Sequence, residues 1–589
     1  GTSATSLSGT SSLVSSGTFS AAGSAMLTLD TGSLFHCAQT STCSFTGTSN
    51  LVMTAGGSTN FLVDGTSSVS FAGTSGTLAV TSTSVVTLAG GVTTFASPRV
   101  LSLLSGGLLT VSGGVLTMQS GSSLLGSGGS ISASSGTVSL VGPSGTTSLG
   151  SGSLVAISST GSMVLLGGRQ MTLSGATLSI FSTGGGNPSV LVQDTSVLTA
   201  QSSSTLSFTG GVYSASGSST TNIQSGSVLS ISGGTTTFAT GAQLWVDAAN
   251  VQVSGLGTLA ITDTNLATAP HWRLTNGASM VLNGALAAIQ VSGNAAGLVS
   301  SGSTVSVAAG VLSLGGVSVS TFDHTTFTQT GGTVSVANAA QLLLINGAQA
   351  FFNGGQLAYA NSGLLVVGAG PPPSIVTFST PYAVFPVGTT VIINGIMNVV
   401  GGSVQMGANY TISSTGIVSV SGGVLSIYNS PSTVIAGLLQ SSSASGQIEI
   451  IGTSNVLLTG GTVSIQGPQP LLISNSATLR TDGTSVNTIT LSGAGLEVFG
   501  SSSVVFRNND KLQLLAGSSI LVEDTATLRF VNVASGLSPN GGSFALSPGL
   551  GGSTPYAELT NTDLTAGASY TLGINAGTLN ITGKASSGI

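Results

Sequence analysis

SVLSISGGTTTFATGAQLWVDAANVQVSGLGTLAITD, residues 227–263, decides the fold. Leu229 and Ile231 are apolar two residues apart, and Leu244/Val246, Val251/Val253 and Leu259/Ile261 repeat the spacing. Small polar residues fill the gaps, and glycine pairs or Gly-Ala steps separate the runs. Alternation with a period of two marks a short strand with one buried face. Glycine at the joints permits positive φ and tight corners. Strand and corner alternate with no helical pattern between them, so the chain winds around an axis as a parallel β-solenoid.

The same text runs through most of the 589 residues. Glycine pairs recur at 23-residue intervals: Gly90-Gly91 and Gly113-Gly114, Gly210-Gly211 and Gly233-Gly234, Gly331-Gly332 and Gly354-Gly355. A further joint stands at Gly460-Gly461. A fixed period of this size marks a solenoid or array, here with roughly 18–25 residues and three short strands per turn. Strict six-residue spacing of aliphatic residues, which a left-handed hexapeptide helix needs, is missing. Crossovers between parallel strands are overwhelmingly right-handed, so a right-handed all-β solenoid with little or no helix is expected.

Composition narrows the function. Hydrophobic residues make up 40% and charged residues 4% of the chain, against roughly 25% charged in an ordinary globular protein. The surface is therefore built from Ser, Thr, Gly, Asn and Gln, and offers little charge repulsion against self-association. A net charge of −6 with eight Lys and Arg residues cannot hold a phosphate backbone, which excludes nucleic acid as a partner. No run of 18 apolar residues exists, so no transmembrane segment is expected. Cys37 and Cys43, in FHCAQTSTCSF, are the only cysteines. Their spacing fits a disulfide around a corner and hence an oxidising compartment. Asn409-Tyr410-Thr411 and Asn580-Ile581-Thr582 are glycosylation sequons.

Four segments are expected. Residues 1–367 form solenoid, and 368–386, GAGPPPSIVTFSTPYAVFP, form a proline-rich break or loop. Residues 387–550 continue the solenoid, more charged toward their C-terminal end. Residues 551–589 supply terminal strands and a contact between subunits. Three consecutive prolines remove ladder donors and justify the break. Charge collects late: Arg507, Asp510, Lys511, Glu523, Asp524 and Arg529 cluster within 23 positions and are assigned to an assembly joint.

The phrases TVSGGVLTM (110–118), LSISGGTTTF (229–238), TVSVAN (333–338) and VSVSGGVLSIY (418–428) resemble secreted right-handed parallel β-helix proteins. These include autotransporter-adhesin passengers, filamentous-haemagglutinin-like proteins and pectin-lyase-like enzymes. The resemblance implies an extracellular or cell-surface location. A pectinase-like member would carry N-x-D, an Asp-Asp pair, Gly-His-Gly and R-x-K. Only the first occurs, at Asn508–Asp510 and Asn561–Asp563. Glu523-Asp524 would point to opposite faces of a strand. Asp323-His324 lacks a distinctive nucleophile among so many hydroxyls, and His271-Trp272-Arg273 pairs an aromatic ring with a cation that would either stack internally or meet a sugar. No catalytic set, cofactor site or metal site emerges.

The reading is a structural subunit of an extracellular filament or surface appendage, assembled by head-to-tail stacking of copies of itself, with cell-surface or matrix polysaccharide as a second partner class. The alternatives are an adhesin stalk displaying a C-terminal binding region, and a carbohydrate-active enzyme.

Overall fold

The alternation of Ser227–Asp263 becomes strands Val228–Ala239, Gln243–Asp247, Asn250–Val253 and Thr258–Asp263. All eight apolar residues expected to point inward there are at most 1% exposed. The intervening Ser230 is half-buried and Gln252 is exposed. A computed structural model describes residues 2–54, 60–264, 270–379, 382–482, 484–508, 510–515, 517–533, 537–539, 543–548, 553–560, 571–575 and 577–582. Among these every regular element is a strand, and none is a helix. The chain is a β-solenoid of about 23 turns, divided into two compact units. Unit 1 comprises residues 1–304 with 309–311, and unit 2 comprises residues 305–308 with 312–589.

In unit 1 each turn contributes one strand to a sheet designated A and two to a sheet designated B, the two being joined through their corner as one long strand at Thr205–Ala215 and Val228–Ala239. Among the described residues the strands of successive turns pair in parallel: Val228 lies beside Asn250 in sheet B, and Thr220 beside Gln243 in sheet A. The register step runs from 22 residues (Val228 to Asn250) to 30 (Thr258 to Ala288). Extra residues leave the body as loops while the ladder keeps its pairing. Because strands stack about 4.8 Å apart, like side chains stack too. Phe45, Phe71 and Phe95 form an inward column with ring centroids 4.7 and 4.4 Å apart.

The glycine pairs occupy the corner between the two sheet-B strands of one turn. A Cβ on Gly233 would sit 2.5 Å from the Thr209 carbonyl oxygen, and one on Gly234 would sit 2.3 Å from that of Gly211. The corner backbones of successive turns therefore approach too closely for any side chain. Gly354 and Gly355 repeat this in unit 2. Gly460-Gly461 differs: it joins Asn455–Leu458 of sheet A to Thr462–Gln466 of sheet B, a different corner.

Unit 2 has the same three-strand turn, with steps from 19 residues (Thr390 to Asn409) to 29 (Thr527 to Tyr556). The prolines at 371–373 lie inside this unit. They occupy a loop between Leu364–Val367 and Ile375–Phe378, and both strands keep partners in the turns before and after. Pro372 covers Gly347, whose added Cβ would meet its ring at 2.6 Å. Within 551–589 the strands Tyr556–Thr560, Thr571–Ile574 and Thr578–Thr582 continue the parallel ladders.

Two arginines of unit 1 are buried. Arg99 is 1% exposed, and its guanidinium donates to the carbonyls of Phe45, Gly47, Ser49 and Ala72. Arg169 is fully buried and donates to Thr146 O and Thr147 Oγ1. Burial pushes its pKa down to about 10. Each arginine fills space left by a glycine one turn earlier, Gly76 and Gly145.

Candidate functional site

Cys37 and Cys43 form a disulfide across the corner between two sheet-B strands, Leu34–Cys37 and Thr42–Phe45, with Cα atoms 6.5 Å apart. Both are fully buried beside the phenylalanine column. His36 points outward, with Nε2 2.8 Å from Asp64 Oδ2. The Gln39 N–H, and after it His36, hold the Asp64 carboxyl below its usual range.

Residues that follow several sheet-A strands form the second feature. There non-glycine residues adopt φ near +55°, including Asn276 (55°), His324 (52°), Asn346 (50°) and Asn508 (56°). Asn and Asp tolerate this conformation because their short side chains bond locally. Asn276 donates to Asp247, and Asn346 donates to Asp323 at 3.0 Å. The Asp323-His324 pair (2.7 Å) is thereby part of a corner. His271 is different. It is buried with Asp263, its Nδ1 accepts from the Ala296 N–H, and its Nε2 pairs with the Asp263 carboxylate.

The late charged residues do not converge. Asp510 is fully buried, accepting from Arg507 N (2.7 Å) and from Asn487 Nδ2 (2.9 Å), so it fastens a corner and presents nothing at the surface. Asp524, at φ 60°, accepts from Gly500 N at 3.1 Å. Arg507 and Lys511 are exposed, and Glu523 is half-buried. Arg529 Nε lies 2.7 Å from Glu558 Oε2 on the neighbouring strand. A hydrogen bond from Thr560, and then Arg529, keep the Glu558 carboxyl below its normal range. Burial, aided by the charge of Glu523, pushes Glu497 up. Asn409 and Asn580 are both exposed on strands of sheet A. The second N-x-D string, Asn561–Asp563, lies outside the described residues.

The third feature is the outward face of sheet A, where residues from successive turns stand in columns. In unit 1 one column reads Thr172, Thr199, Asn222, Trp245, Arg273 and Leu298. Trp245 is 37% exposed, and the Arg273 guanidinium carbon lies 5.5 Å from its ring centroid. Trp272, adjacent to Arg273 in sequence, points into the core and is 4% exposed. Sequence reasoning paired that cation with the wrong tryptophan. Its ring partner lies 28 positions away, and only the register brings the two together. In unit 2 the corresponding column reads Leu343, Val366, Ile392, Thr411, Val434 and Leu457, then Arg480, Val505, Arg529 and Glu558. Its aliphatic members are half-exposed.

No group of three or more His, Cys, Asp or Glu side chains among the described residues is placed to share a metal ion. No helix among them is long and apolar enough to cross a membrane. No protein-family model matches the chain, and no curated protein matches it. Among solved structures it is similar to the crystal structure of a TibC-catalysed, hyper-glycosylated TibA fragment, at 12% identity over 90% of this chain and 99% of that one, with a TM-score of 0.09. At that score the likeness says nothing about function.

Proposed function

We propose that this chain is a structural, non-catalytic subunit of an extracellular or cell-surface filament, built from copies of itself. The observation that carries the reading is the outward aliphatic column of unit 2. Leu343, Val366 and Ile392 stand on three successive strands, and Val434 and Leu457 follow on two more beyond Thr411, in a chain with 4% charged residues. A largely apolar stripe that meets charge only at one end, where Arg480 follows Leu457, is what natural sheets avoid unless something covers it. Head-to-tail stacking would extend the strand pairing that already joins turns within each unit. The stripe would add contact between neighbouring copies. The Cys37–Cys43 disulfide supports an oxidising location. Polysaccharide of a surface or matrix is the second partner class. Electron microscopy of the purified chain in native buffer tests the proposal: filaments are expected, and a persistent monomer at high concentration would overturn it.

A further inference from the structure

Outward positions of sheet A near the middle of unit 1 carry side chains unlike those elsewhere on that face. Glutamine amides stand on four strands there, at Gln170, Gln201, Gln224 and Gln243. The column between them passes from hydroxyls to an amide, an indole and a cation: Thr199, Asn222, Trp245, Arg273. Asp247 lies two positions along the strand from Trp245. Its Oδ1 is fixed by Thr275 Oγ1 at 2.9 Å and by the Asn276 amide.

The chemistry has two halves. An exposed indole in an otherwise polar column costs apolar exposure and gives nothing to the core, because its strand neighbours Leu244 and Val246 already fill the interior. A flat aromatic ring beside fixed amides and a carboxylate suits a ligand with an apolar face and a polar rim. Two polar atoms flanking the ring in register, Asn222 Oδ1 and Arg273 Nε, are screened from solvent and have no hydrogen-bond partner. Leaving them unpaired is costly. A swing of the half-exposed indole would admit hydroxyl groups to both. Among the described residues of unit 1, Arg273 is also the one Arg or Lys that is not fully buried, since Arg99 and Arg169 are in the interior.

We infer that this face of unit 1 is a binding site for a polysaccharide of hexopyranose units. One ring stacks its C–H face on Trp245. Its hydroxyl groups, or a uronate carboxylate, meet Arg273 and Asn222, and Asp247 accepts from a neighbouring hydroxyl. The glutamines stand on strands about 4.8 Å apart, close to the length of one sugar, so further rings along the chain meet further amides. A peptide added as a strand is disfavoured because the strands of this face are already paired on both sides. The site does not depend on self-assembly and is accessible in a single copy.

The chain has two tryptophans, one buried and one exposed, so intrinsic fluorescence reads the site directly. Cellohexaose and laminarihexaose serve as neutral probes and hexagalacturonate as the acidic one, titrated into dilute full-length protein. At least one is expected to shift the emission and shield it from acrylamide quenching. Trp245→Ala should weaken that binding about tenfold or more while leaving the circular-dichroism melt unchanged. Arg273→Gln should weaken the uronate more than the neutral sugars if the carboxylate is the contact, and all equally if hydroxyls are. Loss of the signal change for all three probes would overturn the inference, as would binding by Trp245→Ala, measured calorimetrically, as tight as that of the native chain.

Discussion

The outward face of sheet A is one architectural position used in two ways. In unit 1 it carries mostly hydroxyls, amides and the Trp245–Arg273 pair, with Val52, Leu125 and Leu298 as scattered aliphatic residues. In unit 2 it carries aliphatic residues and then opposite charges, Arg529 and Glu558, in register. The inward faces of both units carry the same aliphatic and aromatic columns. The fold therefore constrains one side of each strand and leaves the other to function. Where two repeats differ on the unconstrained side, that difference is where their roles diverge.

The contrast between inward and outward sides should give the largest effect. Ile231→Asp places an unpaired charge in a fully buried position and should cost about 3–5 kcal/mol. Ser230→Asp, next to it and facing outward, should cost roughly 0.5 kcal/mol or less. Denaturant titration of unit 1 reads both. Equal losses would show that the alternation does not decide burial. Asymmetry between the units gives the next effect. Reducing Cys37–Cys43 releases a small loop worth about 2 kcal/mol. Hydrogen exchange should quicken around the strands Leu34–Cys37 and Thr42–Phe45 and stay unchanged in unit 2. Faster exchange throughout would make the disulfide a global rather than local brace.

Acid should give the smallest effect, and in unit 2 Glu558 and Glu497 contribute to it with opposite signs. The Glu558 carboxyl is held low in the folded state, so its contribution is present above the unfolded value of about 4.3 and disappears as pH falls through the lower folded value. Glu497 is held high, so the sign reverses: ionisation costs stability, and its relief is complete below the unfolded value. Glu558→Gln should flatten the acid limb slightly, by no more than about 1 kcal/mol for so exposed a pair. Glu497→Gln should be neutral or mildly stabilising at pH 7. A marked loss in Glu497→Gln would contradict the assigned direction.

Much of the fold was legible because its rule is local. Period-two alternation placed all eight inward residues of Ser227–Asp263, and six of the seven glycine pairs named above mark one corner. The outward columns were not legible, since they depend on which residues stack between turns. That register step varies from 19 to 30 residues as loops come and go. Trp245 and Arg273 could not be paired without it. The burial of Arg99 and Arg169 was hidden for a related reason: each needs a glycine one turn earlier, a condition no sequence window displays. Asp510 was assigned to an assembly joint, but it is buried against Asn487, 23 positions upstream.

Self-association through the aliphatic column is tested most directly by sedimentation velocity on the full chain across a concentration series, beside the triple variant Leu343→Ser, Ile392→Ser, Leu457→Ser. The native chain should form assemblies that grow with concentration. The triple variant should remain folded by circular dichroism yet sediment as a smaller species, with Trp245→Ala assembling like the native chain. Assemblies of native size from the folded triple variant would contradict the account.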